Sequence, residues 1–250
     1  MDMRSSNPTL PNNTFMDLRF QATRGEAMTV QGTATKAAML LLLALLAAGW
    51  TWMKFYNSGG NVAAVTTWIW VGALGGFALA LVTTFKKEWA AITAPIYAVL
   101  EGLFIGAISA MLEASFPGIV VQAVGLTFGT LFAMLMAYQT GLIKATERFK
   151  LGVVAATGGI AIFYLVMMVL GLFGVHPALL TGPSWLSIGI SLFIVVIAAL
   201  NFIIDFDFIE QGARMNVPKY MEWYGAFALM VTLVWLYVEF LRLLSYLRQR

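Results

Sequence analysis

Cysteine is absent from the 250 residues, histidine occurs once, and only 11% of the side chains are charged. Without thiols there is no disulfide framework and no thiolate metal site, and a single imidazole cannot build a ligand cluster. Zinc enzymes and Ser-His-Asp hydrolases are poor fits on that ground. The shortage of charge excludes more. A water-soluble domain carries about 25% charged residues, whereas 60% of this chain is hydrophobic and its mean hydropathy is +0.84. Apolar side chains dominate everything after Lys36, so too few polar groups remain to cover a globule in water. Lipid is the solvent that suits this composition. The expected fold class is an all-α integral membrane protein, a seven-transmembrane helix bundle.

The calculated pI of about 9.2 could suggest nucleic acid. The excess is only +3, however, and the basic residues stand at the ends of apolar runs rather than in one patch. Their distribution reads as membrane topology, with no nucleic-acid partner. No cofactor is expected either, since the glycines form no phosphate-binding strand-turn-helix pattern and no Gly-x-x-x-x-Gly-Lys-Ser/Thr segment occurs.

A helix needs about 20 apolar residues to cross the hydrocarbon core, and seven such runs are present: 37–55, 66–85, 90–112, 120–143, 152–175, 187–209 and 223–247. Residues 1–36 read as a polar tail and 37–250 as the seven-helix domain. Residues 28–36 resemble an amphipathic lead-in, although Gly32 and three threonines argue against helix there. Trp50, Trp52, Trp68, Trp70, Trp89, Trp185 and Trp223 fall near span ends, where an indole rests at headgroup level. Gly72-xxx-Gly76, Gly125-xxx-Gly129 and Gly158-Gly159 are expected to permit close helix approach.

Lys and Arg collect on the cytoplasmic side of short loops. Eleven of the fifteen lie on the face that carries the N-terminus; Lys54, Arg242, Arg248 and Arg250 lie on the other. The N-terminus is therefore expected inside and the C-terminus outside. The lone His176 is expected in a solvated outer loop beside Pro177.

Ionisable residues inside apolar spans are costly, so each is a functional candidate. Glu113 falls at the outer end of its span, where solvation is the plain reading. Glu239 has Arg242 on the same face at i+3, which predicts an outer intrahelical ion pair. Glu101 lies near the midplane of the third span, with no basic residue at that depth, and must face protein or water. A structural glutamic acid and a pathway residue are both open there. The densest feature is Asn201-Phe-Ile-Ile-Asp205-Phe-Asp207-Phe-Ile-Glu210. Asp205 and Asp207 diverge by about 200° on a helix and cannot both line one narrow pore. Asn201 and Asp205 share one face at i,i+4, and Asp207 and Glu210 share another. The first pair suits an interior path; the second suits the cytoplasmic surface. A competing reading ends the helix earlier and pairs both aspartates with Arg214 or Lys219. Carboxylates are hard oxygen ligands, so Asp205 and Asp207 are candidate Ca²⁺ ligands. A membrane carboxyl is also a natural proton site.

Together, Asn7-Pro-Thr, Met28-Thr-Val-Gln-Gly-Thr-Ala-Thr-Lys36, Leu100-Glu101-Gly102, Ile204-Asp205-Phe206-Asp207 and the aromatic seventh span closing on Leu241-Arg242 resemble the Bax-inhibitor-like proteins. This is the transmembrane Bax inhibitor motif family, and the likeness is to its bacterial branch. The resemblance implies a seven-helix bundle with a central last helix, acting as a pH-sensitive Ca²⁺ leak channel. Ca²⁺ is then the transported ion, and protons the regulator. It further implies two aspartates that share a proton, one ending the sixth helix and one within the seventh. Asp205 matches the first; Thr232 stands at the second, and the nearest acid is Glu239, about two turns on. The basic latch residue of some members is missing from the second span. The expected function is a non-enzymatic, proton-gated Ca²⁺ leak with Asp205 as sensor and Glu101, Asp207 and Asn201 along the path. The alternative is a non-conducting regulatory membrane protein that binds a protease or another membrane complex. An intramembrane hydrolase fits poorly, because both aspartates are on one helix.

Overall fold

A computed structural model describes residues 27–174, 182 and 184–250; most of the polar tail and His176 lie outside them. Among the described residues there are seven α-helices: α1 Val30–Asn57, α2 Ala63–Phe85, α3 Ala90–Ser115, α4 Ile119–Gln139, α5 Glu147–Leu172, α6 Trp185–Arg214 and α7 Met221–Arg248. A 3-10 turn, Lys87–Trp89, joins α2 to α3. Every one of the seven helices is long and apolar enough to cross a membrane. A backbone surrounded by hydrocarbon must satisfy its own polar groups, which a helix does internally. The chain is thus an all-α integral membrane protein with seven candidate spans.

Several helix ends differ from the expectation. The first helix begins at Val30 rather than at residue 37, despite Gly32 and the threonines. Thr29 caps it, accepting the Gly32 N–H at 2.9 Å. Thr33 and Thr35 turn their hydroxyls back onto the Thr29 and Gln31 carbonyls, both at 2.9 Å. Local polar bonding therefore carries the helix through a segment of poor propensity. At the other extreme, α4 stops at Gln139, short of the apolar run, because the chain turns at Gly141 with φ +70. The sixth helix continues past Ile209 to Arg214, which excludes the reading in which it ends before the aspartates.

The molecule divides into two compact units. One holds the chain to Pro117 together with Asp205–Val234; the other holds Gly118–Ile204 and Trp235–Arg250. In the first, α3 packs against both α1 and α2. Glycine makes this possible: a Cβ on Gly72 would lie 2.6 Å from the Leu100 carbonyl oxygen, and one on Gly102 would lie 2.8 Å from the Ala47 Cβ. Gly106 backs onto Ala48 and Thr51 in the same way. Leu40, Tyr97, Ala226, Phe227 and Met230 form the adjoining core, with Tyr97 and Phe227 edge to face at 5.0 Å.

In the second unit, Ile160, Ile194 and Ile197 form a core with Tyr164 and Trp235 against it. The expected close approach at Gly125, Gly129, Gly158 and Gly159 is not found: a Cβ on any of them would meet nothing within 4 Å. No neighbouring helix face among the described residues reaches these positions, so their small size opens onto space. Gly72 and Gly76 do serve as expected, against Leu100, Phe104 and Glu101. Of the tryptophans, Trp50 and Trp68 pair edge to face at 4.8 Å. Trp223 is instead half-buried, 5.5 Å beneath the Lys36 ammonium.

Candidate functional site: the membrane carboxylates

Asp205 projects from α6 within the first unit, half-buried, and its Oδ2 accepts the Thr232 hydroxyl of α7 at 2.6 Å. The residue found where the family resemblance led one to expect a second acid is thus the group facing the first. Among the described residues no basic side chain pairs with Asp205, and a neutral hydroxyl is its hydrogen-bond partner. A hydroxyl can donate to the carboxylate or accept from the protonated acid, so the contact tolerates either state.

Asp207 takes a different neighbour, as the helical angle requires. The Gln211 side-chain amide donates to its Oδ2 at 2.5 Å, four residues on. Glu210 pairs with Arg214 at 2.5 Å on an exposed stretch. No three acidic or imidazole side chains among the described residues gather closely enough to hold a metal ion. Any Ca²⁺ ligation by these aspartates would draw on backbone carbonyls, hydroxyls or water for most of its six to eight oxygens.

Asn201 lies in the second unit. Its amide donates to the Thr157 hydroxyl of α5 at 2.9 Å and to the Ile197 carbonyl at 2.8 Å, using both of its hydrogens. Its carbonyl oxygen is left over as an acceptor. Glu101 is half-buried on α3, set against the space left by Gly76, with the Tyr97 phenol one turn earlier as its polar neighbour. A Cβ at position 76 would lie in ordinary contact with this carboxyl, 3.4 Å from its Oε1.

The predicted pair of Glu239 and Arg242 is present at 3.1 Å. It includes a third group that sequence reasoning missed. The Tyr164 hydroxyl of α5 donates to Glu239 Oε1 at 2.7 Å, Arg242 also reaches that hydroxyl, and its guanidinium lies 4.9 Å over the Tyr164 ring. Glu239, 1% exposed, is therefore both charge-paired and hydrogen-bonded. A lone tyrosine in the middle of the apolar fifth span was the available signal.

Glu222 lies just before the last apolar run and outside it. It is 1% exposed. Its Oε1 accepts the Thr29 N–H at 3.0 Å and the Thr29 hydroxyl at 2.8 Å, and its Oε2 binds the Lys36 ammonium. The carboxyl occupies the place where a side chain on residue 32 would stand, so glycine is needed there. Thr29, Gly32 and Lys36, spaced three and four apart on one face, carried the signal. Next to this contact the Met28 N–H donates to the Val217 carbonyl at 2.7 Å, and Ala27 bridges to Pro218.

Comparison with known proteins points one way. Neither curated proteins nor solved structures provide a match. The sequence model of the family described as Bax inhibitor 1 like matches residues 7–249. That span takes in all seven helices, the carboxylates on α3, α6 and α7, and the Thr29–Lys36 segment that docks Glu222. By this match the chain belongs to the Bax inhibitor 1 like family.

Proposed function

We propose that the protein is a slow, Ca²⁺-permeable leak pathway gated by protonation, with no catalytic role. Asp205 is the sensor; Glu101, Asp207 and Asn201 supply further oxygens along the route. The observation that carries the reading is the contrast among the buried acids. Glu222 and Glu239 each hold a cationic side chain, whereas Asp205 holds only the Thr232 hydroxyl. A carboxylate paired with lysine or arginine has its charge committed. One paired with a neutral hydroxyl in a low-dielectric setting keeps its charge available to a proton or a passing cation. Protonation reverses the donor at the Asp205–Thr232 contact and removes one negative charge from α6, which is the kind of local change that biases a helix gap.

The orientation belongs to the same proposal. Eleven basic residues on the N-terminal face against four on the other put the N-terminus in the cytoplasm and the C-terminus outside the plasma membrane.

The test is Ca²⁺ flux into proteoliposomes between pH 5 and 8 for the wild type and Asp205→Asn. Flux that varies with pH in the wild type and is flat in the variant is the expected result. If folded wild-type protein gives no flux above empty liposomes at any pH, the leak is wrong. The non-conducting regulatory protein then takes its place.

A further inference from the structure

Five buried threonines in these helices share one habit. Thr33, Thr51, Thr83, Thr93 and Thr127 each turn back onto the carbonyl four residues earlier, at 2.9, 3.3, 2.7, 3.1 and 2.8 Å. Ser191 on α6 departs from it. It is 2% exposed, and its Oγ is the one buried side-chain polar atom among the described residues without a hydrogen-bond partner. Rotation about χ1 would let any helical serine back-bond in the same way. Here that back-bond is not made. A buried hydroxyl left unsatisfied is costly, and buried water is the usual remedy for such a group.

The surroundings along α6 make the position more than an isolated defect. At the start of the helix Ser184 is exposed, and its hydroxyl lies 2.7 Å from that of Ser187, which is 1% exposed. Ser191 follows one turn later. At about 100° per residue, positions 184, 187, 191, 194, 198 and 201 fall within about 100° of arc. This face is polar from Ser184 to Ser191, apolar at Ile194 and Ala198, and polar again at Asn201. Ile194 and Ala198 are themselves buried, Ile194 in the core with Ile160 and Ile197. The opposite face, Leu192, Phe193 and Val196, is exposed and wholly apolar, as a lipid-facing surface should be.

We propose that the Ser184–Ser187–Ser191 face of α6 is a hydrated lane entering from the N-terminal end of the helix. Water is the ligand of Ser191, and Ile194 with Ala198 forms the dry barrier where the lane stops. The lane stands on the orphaned hydroxyl and the burial pattern alone. The barrier's role in conduction rests on the leak reading above, in which it separates the lane from Asn201. Neutral hydroxyls without a carboxylate suit water and a partly hydrated cation in passage, not a resident metal ion.

The absence of native cysteine makes a thiol scan free of background. Ser187→Cys, Ser191→Cys, Leu192→Cys and Ala198→Cys would be made singly in the full chain and placed in nanodiscs, which leave both faces open. A charged, membrane-impermeant methanethiosulfonate then reads water access, because the thiolate is the reacting form. Modification at 187 and 191 at least about tenfold faster than at 192 and 198 is expected from that requirement. Equal rates at 191 and 192 overturn the lane; equal rates at 191 and 198 overturn the barrier. Radiolytic hydroxyl labelling of the wild type needs no substitution, and oxidation of 187–191 no greater than that of 194–198 also overturns the lane. Ca²⁺ flux separates the two proposals. Labelling as expected, with no flux in the wild type or in Ile194→Ser, sinks the leak and leaves the lane standing. Labelling that fails sinks the lane whatever the flux.

Discussion

The two units of the molecule use the same side chains in opposite ways. In the first, glycine is a filled position: Gly72, Gly102 and Gly106 press against the backbone and side chains of neighbouring helices. In the second, Gly125, Gly129, Gly158 and Gly159 face open space. Buried acid pairs differ in parallel. Glu222 in the first unit takes its cation from Lys36, on a helix far away in sequence, so the charge pair is one of the ties between α1 and α7. Glu239 in the second takes its cation from Arg242, three residues along its own helix, and the tie to α5 is a neutral tyrosine. A glycine or an ion pair in a membrane helix therefore has no fixed meaning. What it does depends on whether its partner is local or distant.

Substitutions at three places would break or sharpen this comparison: the Glu222–Lys36 pair, the glycines and Tyr164. The largest effect is expected at Glu222. Removing one member of a buried pair leaves the other uncompensated and costs about 3–5 kcal/mol when both are fully desolvated; with Lys36 partly exposed, the lower end of that range is expected for Glu222→Leu. Combining it with Lys36→Met should recover much of the loss. Thermal unfolding of the four proteins in one detergent gives the coupling energy, and simple additivity would show that the pair is not such a tie. Next is glycine, where the two units should respond with opposite signs. Gly106→Ala forces a methyl group onto the Ala48 backbone and should cost about 1–3 kcal/mol. Gly158→Ala meets nothing and should stabilise by up to about 1 kcal/mol through helix propensity. Equal losses at both would remove the distinction between filled and open positions. The smallest effect is expected at Tyr164→Phe, which leaves the Glu239–Arg242 pair in place and removes one hydroxyl, at about 1 kcal/mol. A loss as large as that of Glu222→Leu would mean that the neutral tie carries the second unit.

Much of the candidate site could be read before the fold was known, and the part that could not has a common cause. The family likeness put Thr232 where a second acid was expected, but the sequence did not show that its hydroxyl partners Asp205; the structure supplied that contact. The pairing of Glu239 with Arg242 was legible because three residues on a helix is a contact distance. Glu222 and Tyr164 were not. Their partners lie on other helices, and a sequence periodicity says which residues share a face without saying which face meets which. The early start of α1 was missed for the same reason: Gly32 looks like a helix breaker until Glu222 is seen in the space it leaves.

The number of the helices, the all-α class, and the divergence of Asp205 from Asp207 follow from composition and the angle per residue. They hold for any arrangement of the seven spans, since a helix in lipid closes its own hydrogen bonds. Other features depend on distant packing. Among the described residues Asp205 meets a hydroxyl and not a base, Glu222 meets Lys36 and Thr29, Gly106 is filled while Gly158 is open, and no side chain or backbone group partners the Ser191 hydroxyl. Each is set by which helix faces come together, and that is a property of side-chain fit between segments far apart in the chain.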